Sequence, residues 1–152
     1  CHGSGGSEAG LALIGEQGAV ALDHRDPGHL QAFLERTGGR GADLILEMAA
    51  HLNLGDDLAS LARGGRVVVI GCRGAAEIRP RELMRREADI RGMSLFNLAG
   101  ESKKRIHEAL AQWFEKGLLG PVIRERLPLE EAARAHELVR RPGALGKILL
   151  IP

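Results

Sequence analysis

Short apolar runs and amphipathic stretches alternate along the 152 residues of the chain, and their periods define its elements. AVALDH at 19–24 reads as a strand. DPGHLQAFLERTGG, which follows at 26–39, reads as a helix. Asp26 suits its cap, Pro27 its first turn and Gly38 its exit, with Leu30, Phe33 and Leu34 on one face. DLILEMA at 43–49 predicts a second strand. NLGDDLASLA at 53–62 predicts a helix capped by Asn53, with Asp56 and Asp57 in the first turn, where the helix dipole favours negative charge. In LARGGRVVVIGCRG, residues 61–74, Gly64 and Gly65 make an entry turn to the run Val67, Val68, Val69, Ile70, and Gly71 ends it. A β-branched run without polar alternation suits a strand buried on both faces, as in a parallel sheet. RPRELMRREADI at 79–90 is a third helix and RGMSLFNL at 91–98 a fourth strand.

After Gly100 the texture changes. ESKKRIHEALAQWFEKG is one amphipathic helix with Ile106, Ala109, Leu110 and Trp113 at helical spacing. PVIRERLPL is extended, EEAARAHELVRR is helical, with His136 read as a core histidine, and GKILLI is a last strand. The opening CHGSGGSEAG follows no visible strand and misses G-x-G-x-x-G, because Glu8 stands where the third glycine belongs; by itself it reads as a flexible start. Strand–helix alternation with short connections means βαβ units and a parallel sheet. A glycine at the carboxyl end of such a strand lets the backbone approach a ligand, and ligands of open α/β sheets lie at those ends. A valine at Gly71 is therefore expected to impair ligand binding more than folding.

Composition changes this picture little. The net charge of +1 gives no reason to expect a nucleic-acid or anionic-membrane partner, and the aromatic content of 3% weighs against base stacking. Cys1 and Cys72 form no CxxC or Cys/His cluster, so neither a disulfide framework nor a zinc site is indicated; Cys72 reads as a small buried filler. No run reaches membrane-spanning length and no signal peptide is visible, so a cytoplasmic location is expected. His51 and His107 read as surface residues, and no catalytic acid or base stands out.

The segments GSGGSEAG, GAVALDHRD, GADLILEMAAHLNLGDDLASLARGGRVVVIGCRG, EIRPRELMRREADIRGMSLFNL, EEAARAHELV and GKILL occur in this order. Together they resemble the C-terminal half of the zinc-independent quinone oxidoreductases of the zeta-crystallin type, in the medium-chain dehydrogenase/reductase superfamily. The resemblance covers essentially the whole chain. It implies an α/β fold over 1–98: a Rossmann-like parallel sheet with flanking helices, lacking the first strand and its glycine-rich loop. Residues 99–152 would be the C-terminal segment of the catalytic domain. It also implies hydride transfer from a reduced nicotinamide cofactor, NADPH before NADH, to a quinone or enone, without a metal.

By the same resemblance, Ser4, Gly5, Gly6 and Ser7 lie around the adenosine ribose and His24 near its 2′-phosphate. NAD-selective folds place a carboxylate at that strand end, and here the residues are small and neutral. Gly10 stands where some relatives carry a lysine. Asn53 matches a further cofactor position, Ile70, Gly71, Cys72 and Arg73 match a cofactor-contacting turn, and Met93, Ser94 and Leu95 match a segment near the nicotinamide. A homodimer through the strand edge at 91–98 is implied as well. The rivals are an enoyl or enone reductase of the same superfamily and a non-catalytic nucleotide- or RNA-binding module. Without the pyrophosphate loop, the chain is expected to bind NADPH weakly and to reduce no quinone by itself.

Overall fold

The protein is described from a computed structural model, over residues 1–141 and 145–152. Its backbone divides into two units, residues 26–98 and residues 1–25 with 99–152.

The unit at 26–98 is built on three parallel strands, β3 (Ala42–Glu47), β4 (Leu61–Val69) and β5 (Asp89–Gly92), in the order β3-β4-β5. Helix α2 (His29–Arg36) leads into β3, and helices α3 (Ala50–Ser60) and α4 (Pro80–Arg86) supply the connections between the strands. On β3, Ile45 and Glu47 share the inward face while Leu44 and Leu46 are exposed, the period of two that a pleated strand imposes. Leu58, Leu61 and Val67 form the core, and Ile45, Leu54, Val69, Ile78, Leu83 and Ile90 pack around it. The valine run is less enclosed than expected, since Val67 is fully buried and Val68, Val69 and Ile70 only partly.

Several boundaries differ from the sequence reading. Strand β4 starts at Leu61, before the glycine pair. Its register jumps from Leu61 opposite Ala42 to Arg66 opposite Leu44, so Gly64 (φ 73°) and Gly65 lie inside a bulge and not in an entry turn. Helix α3 starts three residues before Asn53, which removes Asn53 as its cap and takes Asp56 and Asp57 out of its first turn. Asp26 caps no helix either. Its Oδ1 accepts from the amide of Gly28 at 2.8 Å and closes the turn that precedes α2. The fourth strand covers 89–92, and 95–97 are a 3₁₀ turn.

The other unit holds two parallel strand pairs. β1 (His2–Gly5), α1 (Glu8–Glu16) and β2 (Val20–Asp23) form a βαβ unit in register from His2–Val20 to Gly5–Asp23, so the glycine-rich start is a strand and a capped helix. The cap is Ser7, whose hydroxyl accepts from the amide of Gly10 at 3.1 Å. After helix α5 (Gly100–Glu115), β6 (Ile123–Pro128) pairs in parallel with β7 (Lys147–Ile151). Helix α6 (Ala132–Arg140) covers that pair through Ala135 and Leu138, which pack with Leu127 and Ile148. His136 is exposed, because its neighbours Ala135 and Leu138 take the buried stripe.

Arg86 ties the first unit together. Its guanidinium donates to the carbonyls of Leu61 (2.8 Å) and Ala59 (2.5 Å), at the end of α3, and to the Glu82 carboxylate. A cation at a helix C-terminus is favourable in itself, and its charge-assisted bonds satisfy carbonyls that the helix leaves open. Arg86→Ala should destabilise the chain by about 2 kcal/mol in urea titration. Arg86→Lys should recover only part of this loss, having no planar fork.

Candidate functional site

Two clusters of the expected residues form, one in each unit. In the first, parallel pairing brings the end of β1 beside the end of β2. The amide of His24 donates to the carbonyl of Gly5 at 3.1 Å. The His24 ring lies so close to Gly6 that a Cβ there would sit 2.5 Å from Nε2 and would push the exposed ring aside. Ser4, Gly5, Gly6, Ser7 and His24 therefore stand together, with Ser4 and His24 exposed. No carboxylate lies between Ser4 and Ser7, and Glu8 follows in the first turn of α1. Sequence reasoning passed over Arg25. Its guanidinium makes paired bonds to Asp23 at 3.0 and 2.7 Å, and these bonds hold the Asp23 carboxyl down at about 2. Arg25 also feels the charge of Glu8. The signal for it was its place, two residues past the acid Asp23 that ends the strand.

In the second cluster, Asn53, the turn at 70–73 and the segment 93–95 lie at the carboxyl ends of β3, β4 and β5. The turn is held by main-chain bonds: the amides of Ile70 (2.8 Å) and Gly71 (3.2 Å) donate to the carbonyl of Glu47, and the amide of Ala50 donates to the carbonyl of Gly71 at 3.0 Å. A side chain at Gly71 would collide with the carbonyl oxygen of Met48. The glycine is therefore required by packing, whatever binds there, and a valine would impair folding before binding. Cys72 is exposed rather than a buried filler, and its thiol donates to the carbonyl of Gly74. The amide of Arg73 donates to Nδ1 of His51 at 3.4 Å, which makes His51 half-buried and engaged rather than free at the surface. The amide of Met93 donates to the carbonyl of Val69 at 3.0 Å. Ile70, Met93, Ser94, Leu95 and Phe96 line an open depression of about 300 Å³.

The sequence reading missed Glu47 and the true role of Asp57. Glu47 is 7% exposed and Asp57 9%. The Glu47 carboxylate accepts from the amide of Ala49 and from Nδ2 of Asn53, at 3.2 and 3.3 Å. Asn53 thus serves a buried acid instead of capping a helix. Burial, then the charge of Glu47 and a hydrogen bond to it, then Asp56, push the Asp57 carboxyl up to about 7. The charges acting on it are all negative, so nothing offsets the cost of ionising it. The available signal was a glutamate on the inward face of DLILEM, where the strand period calls for an apolar residue.

Parallel strands joined by helical crossovers define a Rossmann-like α/β protein, with the candidate residues at carboxyl strand ends. The model of the zinc-binding dehydrogenase family matches residues 17–150, and the chain belongs to that family. It is 40% identical to the quinone oxidoreductase of Rattus norvegicus over 151 residues, covering 98% of this chain and 46% of the relative. It is 39% identical to that of Homo sapiens with the same coverage. The crystal structure of an NAD-dependent alcohol dehydrogenase superposes with a TM-score of 0.82 at 28% identity, over 98% of this chain and 43% of that one. The resemblance to quinone oxidoreductases and the Rossmann-like α/β fold are borne out, and the chain spans about half the length of the curated relatives it matches. The family description includes zinc. Among the described residues no group of three or more His, Cys, Asp or Glu could hold a metal ion, so these residues do not fit that ion. Among them, too, no helix is long and apolar enough to cross a membrane.

The Asp57 carboxyl binds its proton more tightly folded than unfolded. The stability linked to it is full below the ordinary carboxylate range near pH 4 and is lost as pH rises through about 7. An asparagine keeps a donor toward Glu47 at every pH. Asp57→Asn should therefore match the parent in thermal unfolding at pH 4 and exceed its midpoint by about 5 °C at pH 8.

Proposed function

We propose that the chain is the cofactor-binding part of an NADPH-dependent oxidoreductase whose acceptor is of the quinone type. The observation that carries this reading is the 40% identity to rat quinone oxidoreductase across 98% of the chain. Residues 1–98 form most of the dinucleotide domain, and 99–152 are the segment that returns to the catalytic domain. Ser4, Gly5, Gly6, Ser7 and His24 hold the adenosine end. The fit rests on two features. The strand end is neutral from Ser4 to Ser7, leaving room for a 2′-phosphate, and the exposed imidazole of His24 lies directly over Gly6. Asn53, Ile70, Gly71, Cys72, Arg73, Met93, Ser94 and Leu95 attend the rest of the dinucleotide.

When bound, the reduced nicotinamide supplies the hydride. The chain's own part is to bind and orient. The main-chain bonds at 70–71 fix the turn, and the apolar side chains of Ile70, Met93 and Leu95 keep water from one wall. No residue of the chain is assigned a proton. The protein works in the cytoplasm and needs no metal.

It acts as a homodimer through the free edge of β5 and the adjoining turn. Unpaired strand edges favour pairing with a second copy, and Phe96 on that turn is 99% exposed. The structure shortens the strand available for this to 89–92. Sedimentation at micromolar concentration should show a dimer for the parent chain and a monomer for Phe96→Asp. A monomeric parent refutes the pairing.

Fluorescence titration with NADPH and NADH tests the cofactor reading. NADPH should bind about tenfold tighter, equivalent to about 1.4 kcal/mol. His24→Ala should abolish the difference by weakening NADPH alone. Equal or tighter binding of NADH to the parent refutes it. With the full-length protein that carries the upstream half, oxidation of NADPH by enoyl thioesters but not quinones moves the reading to an enoyl reductase.

A further inference from the structure

Helix α3 begins at Ala50, and its cap position, Ala49, supplies no side-chain acceptor. An uncapped N-terminus leaves backbone donors open, and the usual remedy is a Ser, Thr, Asp or Asn at the cap position. Here the acceptor comes from two residues upstream: the buried Glu47 carboxylate takes the Ala49 amide. A negative group at that end also suits the helix dipole. The same carboxylate takes Nδ2 of Asn53, one turn into the helix. The next amide, that of Ala50, crosses to the carbonyl of Gly71, while the Glu47 carbonyl receives the amides of Ile70 and Gly71. Glu47 thus grips the β4 end directly through its main chain. Its side chain secures the Ala49–Ala50 peptide that grips it from the other side.

A buried carboxylate in this role must itself be held. Asp57 faces it from α3, two turns into the helix, and no donor reaches the buried Oδ2 of Asp57. Two acceptors facing each other bond only if one carries a proton. A protonated Asp57 donates to Glu47, which completes the hydrogen bonding of both acids without bringing in a cation.

We propose that Glu47 is the positioning residue for Asn53 and for the turn at 70–71, and that the Asp57 carboxyl fixes it by sharing a proton with it. This rests on the reading of that turn as a cofactor contact only for its consequence in binding, because the positioning is measurable without a ligand.

The test is amide hydrogen exchange by NMR on the labelled chain, with NADPH titration alongside. In Glu47→Ala, exchange at Ala49, Ala50 and Gly71 should rise at least tenfold more than at Val67 and Val68, and NADPH should bind about tenfold more weakly. Asp57→Asn, which keeps a donor toward Glu47, should leave exchange at Ala49, Ala50 and Gly71 relative to Val67 and Val68 at parent values. Glu47→Met, close in shape but without an acceptor, covers the case in which the alanine variant fails to fold. It offers no oxygen to Ala49 or to Asn53, so their amides and that of Gly71 should lose protection relative to Val67. Exchange that rises equally at Val67 and at Gly71 in Glu47→Ala overturns the proposal, as does an unchanged Asn53 side-chain amide in Glu47→Met. Loosened amides with unaltered NADPH binding uphold the positioning and refute the cofactor reading of the turn.

Discussion

A single buried carboxylate, that of Glu47, is the constraint on which the unit at 26–98 turns. It sits at the carboxyl end of β3, where a strand must hand over to a helix and where the neighbouring strand β4 also ends. A parallel sheet brings these handovers to one edge, and each of them opens backbone donors and acceptors that the strand ladder no longer satisfies. Glu47 closes several at once, through its side chain to Ala49 and Asn53 and through its carbonyl to Ile70 and Gly71. The cost is a desolvated acid, which Asp57 meets with a proton.

Steric fit works with this bonding. Gly71 lies against the carbonyl of Met48, and Gly6 lies against the ring of His24. At Gly71 the glycine permits a close approach between the ends of β3 and β4, and the candidate residues Cys72 and Arg73 follow immediately after it. The geometry of these strand ends is thus set by contacts within the protein. Arg86 performs the corresponding service at the opposite end of α3, closing carbonyls instead of amides.

Family membership is carried by nearly the whole chain, while the positions read from the resemblance gather in two places. Of the thirteen positions read from the resemblance, five meet at the ends of β1 and β2, and the others lie at the ends of β3, β4 and β5. Asn53 reaches that edge by a route the motif does not express, since its side chain is spent on Glu47. Arg25 adds a cation beside His24, partly neutralised by Asp23. The zinc of the family description finds no donor set among the described residues.

What the sequence determined by itself was the order and type of the elements from 19 onward, because apolar period and β-branched runs are local properties. It also determined the relationship to quinone oxidoreductases, through motifs spread over the whole length. It did not reveal β1 and α1, since glycine and serine there gave no apolar period. Nor did it place the ends of α3, β4 and β5. Where α3 starts depends on a carboxylate that reaches forward from β3. Where β4 starts depends on a bulge that only pairing with β3 defines, and β5 ends where its partner β4 ends. Tertiary structure alone decided that Glu47 and Asp57 are buried together and that Cys72 and His136 are exposed. Burial is a property of what packs opposite a residue, and no local pattern records it.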